Sequence, residues 1–213
     1  LASAGVAKDD IDAWWLGTAQ SGMSGVTLAA PLKLDNKPVT RVENYCATGS
    51  EALRQACYAV ASGAYDIAAA VGVEKVKDSG FQGLNAFPIP NDGTQRSVTA
   101  AAMFSLVAPA YARRYGIDED DLRRVLATIA SKNHYNGARN PLAQFRKEMD
   151  VDAICAMPAV AGRLGVFDCA GVADGSSAAM IVRAEDAHEY CDNPLYIKAL
   201  SLVAGNGSGL LDP

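Results

Sequence analysis

Cys46 stands in V-T-R-V-E-N-Y-C-A-T-G-S-E-A-L-R-Q-A-C-Y-A-V-A-S-G, residues 39–63, where a run suited to a strand gives way to one suited to a helix. Val39, Arg41 and Glu43 alternate with Thr40, Val42 and Asn44, and the β-branched residues among them predict a short strand. From Ala47 onward Ala52, Leu53, Ala56, Cys57 and Val60 recur at three- and four-residue spacing, and Gly63 marks a helix stop. A cysteine at such a turn meets amide N–H groups that lack intrahelical acceptors and the positive end of the helix dipole. Both stabilise a thiolate, the nucleophilic form of the side chain. Ala47, Thr48, Gly49 and Ser50 are small enough to let a carbonyl approach, and the same N–H groups would then hold the oxyanion formed when sulfur attacks it. The other reading of Cys46 is a small buried hydrophobe, as most free cysteines are, and position alone leaves both open.

A second stretch with chemical potential is K-N-H-Y-N-G-A-R-N-P-L-A-Q-F-R-K, residues 132–147, which holds four basic residues and no acidic one in a chain of net charge −5. It reads either as a solvated loop or as an edge that holds phosphates through Lys132, Arg139, Arg146 and Lys147. His134 and His188 have no partner at metal-ligand spacing and read as ordinary polar surface positions; no metal site is expected. Cys46, Cys57, Cys155, Cys169 and Cys191 are odd in number, irregularly spaced and without a C-x-x-C pair, which speaks against a disulfide framework and for reduced thiols in a cytoplasmic setting.

The elements that must position these residues follow from patterning. At 213 residues and 50% hydrophobic content the chain can bury a sizeable core, with room for a large excursion. The acidic balance excludes nucleic acid or an anionic membrane as a general partner, and no apolar run reaches the roughly 18 residues of a membrane span. The opening L-A-S-A-G-V-A-K-D-D has no signal-peptide pattern and reads as the tail of a helix already under way, so the chain is expected to begin inside a larger protein. Ile11 to Leu16 predicts a buried strand, 20–30 a loop leading into a short helix, and P-L-K-L-D-N-K-P a turn before the Cys46 strand. Strand, helix and strand through Val76 imply parallel strands with helices on their faces, where nucleophiles are carried at the strand-to-helix junction. After Val76 the composition turns to Gly, Pro and Asn, an excursion from the sheet. Ala100 to Tyr115 predicts a helix kinked or divided by Pro109. Asp118 predicts a helix cap, and Leu122, Val125, Leu126, Ile129 and Ala130 the apolar stripe of the helix it starts. Asp174 and Gly175 predict a turn before a strand at 177–182, and 195–213 reads as a strand entering a Gly-rich loop.

Three segments in order resemble the thiolases, in the branch close to the sterol-carrier-protein-linked and lipid-transfer thiolases: N-Y-C-A-T-G-S-E-A-L with the nucleophile segment, D-I-A-A-A-V-G-V-E-K-V at 66–76 with the strand that follows its helix, and F-D-C-A-G-V-A-D-G-S-S-A-A-M-I-V at 167–182 with the D-C-S-G-x-x-D-G-A-A-A segment. The resemblance implies an α/β, thiolase-like αβαβα fold and divides the chain into 1–76, the first half without its start; 77–166, a loop domain covering the active site; 167–193, the end of that half; and 194–213, the first strand of a truncated second half. It implies that Cys46 is the nucleophile and that Cys169, Ala170 and Gly171 lie beside the pantetheine arm, with Ala170 where the family often has Ser. Phe81, Phe87, Met103 and Phe104 are candidates to line the acyl pocket, or core.

The activity implied is that of an acyl-CoA C-acyltransferase acting on a β-ketoacyl-CoA in lipid metabolism, with coenzyme A as co-substrate and no tightly bound cofactor. The resemblance also implies a dimer or tetramer, and in some members of this branch an OB-fold, zinc-ribbon partner subunit. The family's acid and base, a histidine in a G-H-P segment, a second cysteine and an H-D-C-F or N-E-A-F segment, do not occur in this sequence, so the 213 residues are expected to be inactive alone. Other readings are a non-catalytic thiolase-fold subunit that binds acyl-CoA or a partner protein, and a hydroxymethylglutaryl-CoA synthase-type condensing enzyme. Cys46 counts against a retro-aldolase, and Asn44 and Thr48 against a cysteine hydrolase with a nucleophile elbow.

Overall fold

The structure, a computed structural model, describes residues 1–78, 85–88 and 97–205. Two compact units divide them: residues 1–78 with 174–205, and residues 85–173.

The first unit is built on a four-stranded sheet in the order β2-β1-β3-β8, from β1 (Ala13–Gly17), β2 (Val39–Val42), β3 (Ala68–Glu74) and β8 (Gly175–Ile181). β1 runs parallel to both neighbours, with Trp14 opposite Val39 and Ala69, while β8 returns antiparallel to β3, with Val71 opposite Ala178. The expected parallel sheet therefore carries one antiparallel edge. Ala13, Trp14, Leu16 and Gly17 of β1 are buried, as befits a strand covered on both faces. Alternation sorts the side chains. Ile11, Trp14, Leu16, Ala69 and Val71 join Leu28 of helix α1 (Val26–Leu32) in one core, and Ala68 and Ala70 face Ala52, Ala56 and Val60 of helix α2 (Thr48–Ala61) in the other. Each large apolar side chain so enclosed contributes about 1.5–3 kcal/mol. α2 ends at Gly63, whose φ of +74° suits a residue without Cβ, and the amides of Gly63 and Ala64 close on the carbonyls of Val60 and Ala59.

In the second unit β4 (Asn85–Pro88) pairs antiparallel with β5 (Ser97–Thr99). The helix expected over 100–115 is two: α3 (Ala100–Phe104) and α4 (Val107–Tyr115). The break falls around Ser105, the carbonyl four residues before Pro109, which has no N–H to offer it and whose ring would collide with it. Asp118 caps helix α5 (Glu119–Arg139), accepting from the amides of Asp120 and Asp121 at 2.8 and 3.3 Å. The buried side of α5 differs in part from the expected stripe: Ala130 is buried as expected, but Val125 and Ile129 are 54% and 49% exposed and Ala127 is buried in their place, with Ala130 against Ile154 of helix α6 (Val151–Cys155). Small residues at the crossing let α6 approach closely, so α5 turns its alanines inward and two branched side chains outward. A short hairpin follows, β6 (Ala159–Ala161) and β7 (Leu164–Gly165), turning at Gly162 with φ +55°.

The strand expected from Leu195 onward is not formed over 195–205, where Leu195 and Val203 are exposed and the segment pairs with none of the described strands. A run suited to a strand does not by itself supply a partner, and a strand without one leaves its backbone to water. Residues 206–213, the rest of that reading, lie outside the described residues.

A Cβ at Gly17 would lie 2.9 Å from the Thr48 carbonyl oxygen and 3.2 Å from Ala52 Cβ, so neither backbone nor a rigid methyl can yield. Gly17→Ala is expected to destabilise by about 1–3 kcal/mol, read as a lowered urea midpoint with an unchanged m-value.

Candidate active site

The parallel strands β1, β2 and β3 all end at the same edge of the sheet, and Cys46 stands at that edge. Between β2 and α2 the chain makes a 3-10 turn, Tyr45–Ala47, and Cys46 is its central residue. Tyr45 sits at φ +48°, a left-handed conformation that costs a bulky residue energy and persists only where its surroundings fix it. They do so here: Thr48 Oγ1 accepts from the Asn44 amide at 2.8 Å and donates to the Tyr45 carbonyl at 2.6 Å, and Glu43 accepts from the Tyr45 amide. Thr48 is buried, whereas Asn44, Tyr45, Cys46, Gly49 and Ser50 are exposed. The thiol is therefore presented, not packed away, which removes the reading of Cys46 as a buried hydrophobe.

Helix α2 begins at Thr48 without a side-chain cap; the Thr48 amide donates to the Tyr45 carbonyl, and the amides that follow, at exposed Gly49 and Ser50, have no intrahelical acceptor. A Cβ at Gly49 would touch nothing within 4 Å. This turn can favour an anion through oriented N–H groups and the helix dipole. Glu51, one turn inward, is unsuited to act as a base: the Arg54 guanidinium and then the Gln55 amide hold its carboxyl below the usual range, and both its oxygens are engaged at 2.7–2.8 Å.

A rigid loop after β1 lies at the same edge, and the sequence reading missed it. Glu74, the last residue of β3, accepts from Thr18 Oγ1 at 3.2 Å, Ser21 Oγ at 2.7 Å, the Gln20 amide at 3.3 Å and the Ala19 amide. Arg41 of β2 donates through Nη2 to the carbonyls of Thr18 and Ala19 at 2.8 and 3.2 Å. Burial alone would raise the Glu74 carboxyl, but these donors outweigh it and hold it below the ordinary glutamate value. The available signal was a glutamate directly after an apolar strand, where a carboxylate must find donors.

The second unit brings two separately identified stretches together. Phe145 lies on Gly171: a Cβ there would be 2.5 and 2.9 Å from ring atoms of Phe145, and Gln144 Nε2 lies 3.5 Å from the Val172 carbonyl. Cys169 is half-buried, with its thiol pushed up by burial and by Asp168, while Ala170 and Gly171 are exposed. Of the basic candidates, Lys132 and Arg139 lie on α5, not in a loop. Arg139 is engaged by Glu148 at 2.7 Å and stacks 3.4 Å from the Tyr135 ring centre, whereas Lys132, Arg146 and Lys147 are exposed and form no ion pair among the described residues. His134 is a structural contact, donating from Nδ1 to the Lys147 carbonyl at 3.1 Å and packing edge-on to Phe167. Phe104 is 62% exposed, Met103 is half-buried, and Phe81 and the side chain of Phe87 lie outside the described residues. Among the described residues no group of three or more His, Cys, Asp or Glu could hold a metal, and no helix is long and apolar enough to cross a membrane.

Comparison with known proteins places this arrangement. The sequence model of the family described as Thiolase, N-terminal domain, matches residues 1–185. An acetyl-CoA acetyltransferase of Methanothermobacter thermautotrophicus is 33% identical, over 96% of this chain and 55% of its own. Among solved structures, the Ltp2-ChsH2(DUF35) aldolase superposes with a TM-score of 0.67 at 20% identity, over 86% of this chain and 48% of that one. The Acat5 thiolase from Ascaris suum in complex with coenzyme A superposes with 0.57 at 15% identity, over 85% and 56%. The chain thus spans about half the length of the proteins it matches. With the family sequence model covering residues 1–185 and the α/β fold shared with the Acat5 thiolase, the chain belongs to the thiolase family through that family's N-terminal domain.

Proposed function

We propose that this chain carries the nucleophile of a thiolase-type acyl-CoA C-acyltransferase, with Cys46 as that nucleophile. The observation that supports it most is the exposed thiol at an uncapped helix start, in a family member whose relatives include acetyl-CoA acetyltransferases. In the cleavage direction the Cys46 thiolate adds to the keto carbon of a β-ketoacyl-CoA, and the oxyanion formed is held by the Gly49 and Ser50 amides in the first turn of α2. As the oxyanion collapses, the carbon–carbon bond breaks, its electron pair goes to the departing acyl-CoA carbanion, and that carbanion takes a proton. The acyl group stays on Cys46 as a thioester. The thiol of coenzyme A then loses its proton, adds to that thioester and expels the Cys46 thiolate. The carboxylates described at this edge of the sheet, Glu43, Glu51 and Glu74, each accept hydrogen bonds within the first unit. Acid and base belong, on this reading, to the half of the enzyme beyond this chain.

The second unit holds coenzyme A in this proposal, with Cys169, Ala170 and Gly171 beside the pantetheine arm and the unpaired cations Arg146 and Lys147 toward its phosphates, in a homo-oligomer. The likeness to the Ltp2-ChsH2(DUF35) aldolase is one of fold, and it prompts a second reading in which the chain pairs with a DUF35-type subunit and performs no acyl transfer. The thioester separates the two readings.

Incubation of the full-length protein with an acyl-CoA is expected to add one acyl mass to the peptide containing Cys46, and Cys46→Ser is expected to lose that adduct and at least about a thousandfold in kcat. An unmodified Cys46 in an active protein would instead favour the second reading. Arg146→Glu combined with Lys147→Glu is expected to raise KM for coenzyme A about tenfold at low salt and less at high salt, with kcat preserved, as measured by thiolysis kinetics over an ionic-strength series.

A further inference from the structure

The segment that follows β7 carries Cys169, Ala170 and Gly171, and an ion pair fixes it one residue before Cys169. Arg123 of α5 donates through Nη1 to Asp168 Oδ2 at 2.7 Å and through Nη2 to the Ile154 carbonyl at 2.7 Å, while the Gly165 amide donates to the same Asp168 oxygen at 2.7 Å. Their side chains are 14% and 4% exposed, and Asp168 Oδ1 is buried without a hydrogen-bond partner among the described residues. Such a pair is a poor way to gain stability, since apolar residues of like volume commonly serve as well or better, and the unpartnered oxygen adds a desolvation cost. Its distinctive effect is positional. One guanidinium ties the turn at 166–168 to α5 and to the end of α6 together.

Three residues beyond Asp168 the same segment meets a second constraint, the Phe145 ring over Gly171, and Phe145 directly precedes Arg146 and Lys147. The course of residues 168–171 therefore sets where the small residues lie relative to the unpaired cations. We propose that Arg123 is a positioning residue for coenzyme A. Acting through Asp168, it holds the Cys169–Gly171 segment against Phe145 so that pantetheine and phosphates are met by one rigid surface. Arg123 itself touches no ligand. The inference rests on the thiolase reading of the preceding subsection and extends it to a residue that no motif marks.

The test uses the full-length protein and four readouts: the Cys46 acyl adduct, KM for coenzyme A, kcat, and the melting temperature. Arg123→Gln is expected to raise KM for coenzyme A about tenfold or more with less than about a threefold change in kcat, and Arg123→Lys to restore most of the loss. Gly171→Ala, which must displace Phe145, is expected to move KM in the same direction with Arg123 intact. Should Arg123→Gln fail to fold because it strands a buried carboxylate, the double variant Arg123→Gln with Asp168→Asn removes both charges and is expected to show the same KM increase. A lowered melting temperature with KM unchanged in Arg123→Gln or in the double variant overturns the positioning role and leaves the thiolase reading standing. A wild-type protein that forms no Cys46 adduct and binds no coenzyme A overturns both.

Discussion

The geometry of the first unit depends on one steric constraint, the closeness with which the start of α2 lies on the sheet. A backbone position without a side chain permits it: Gly17 at the end of β1, within 2.9 Å of the Thr48 carbonyl once a Cβ is placed on it, while a Cβ at Gly72 of β3 would make only ordinary contact with Gly49, at 3.9 Å. Ala68 and Ala70 continue the low surface on which Ala52, Ala56 and Val60 rest. A larger side chain at any of these places would lift the helix and move its first turn away from the strand ends. Cys46 belongs to that turn, so its position follows from packing at residues that have no chemistry of their own.

The same edge of the sheet shows how an exposed thiol can stand on a constrained turn. Tyr45 is held at positive φ by bonds that run through the buried hydroxyl of Thr48, and the neighbouring loop is clamped by Glu74 from one side and Arg41 from the other. Strain and exposed amides are concentrated on the Cys46 side, while the polar groups that could quench them are occupied elsewhere. Glu51 is bound to Arg54 and Gln55, and Glu74 to the loop. The exposed groups at this turn include the Cys46 sulfur and the Gly49 and Ser50 amides, a combination suited in principle to an electrophilic carbon bearing an oxygen that becomes negative.

Local pattern revealed the strand-to-helix turn, the stop at Gly63, the cap at Asp118 and the division of the helix before Pro109, because each depends on a few residues adjacent in sequence. What it hid depends on partners far apart. Val125 and Ile129 fit the same apolar stripe as Ala130, but the crossing with α6 chose Ala127 beside Ala130, and nothing within α5 alone records that choice. Arg139 looked like a free cation until Glu148, just past the basic stretch, came back to it at 2.7 Å. The contact of Phe145 with Gly171 spans 26 residues of chain, and the Arg123–Asp168 pair 45, so neither leaves a local signature. Residues 195–205 show the converse: a run suited to a strand is only a capacity for pairing, and a strand forms where a partner edge exists.

The way the chain leaves and rejoins the sheet explains how the first unit carries a long insertion without being weakened by it. Glu74, at the end of β3, is registered opposite Gly175, at the start of β8, and the Asp174 carboxylate accepts from the Lys77 and Asp78 amides at 2.7 and 3.3 Å. Those amides, the Lys77 one foremost, hold its carboxyl below the usual aspartate range. The excursion thus departs and returns at neighbouring backbone positions, closed by a single acidic side chain. Closure entropy grows only with the logarithm of loop length, about 0.6 kcal/mol for each doubling, so a long insertion at such a pinned pair costs the sheet little more than a short one. The inserted residues carry their own core around Ala127, Ala130 and Ile154, and their own means of ordering Cys169–Gly171. The packing that places Cys46 and the packing that orders the coenzyme A candidates are therefore separate, and each can be adjusted without disturbing the other.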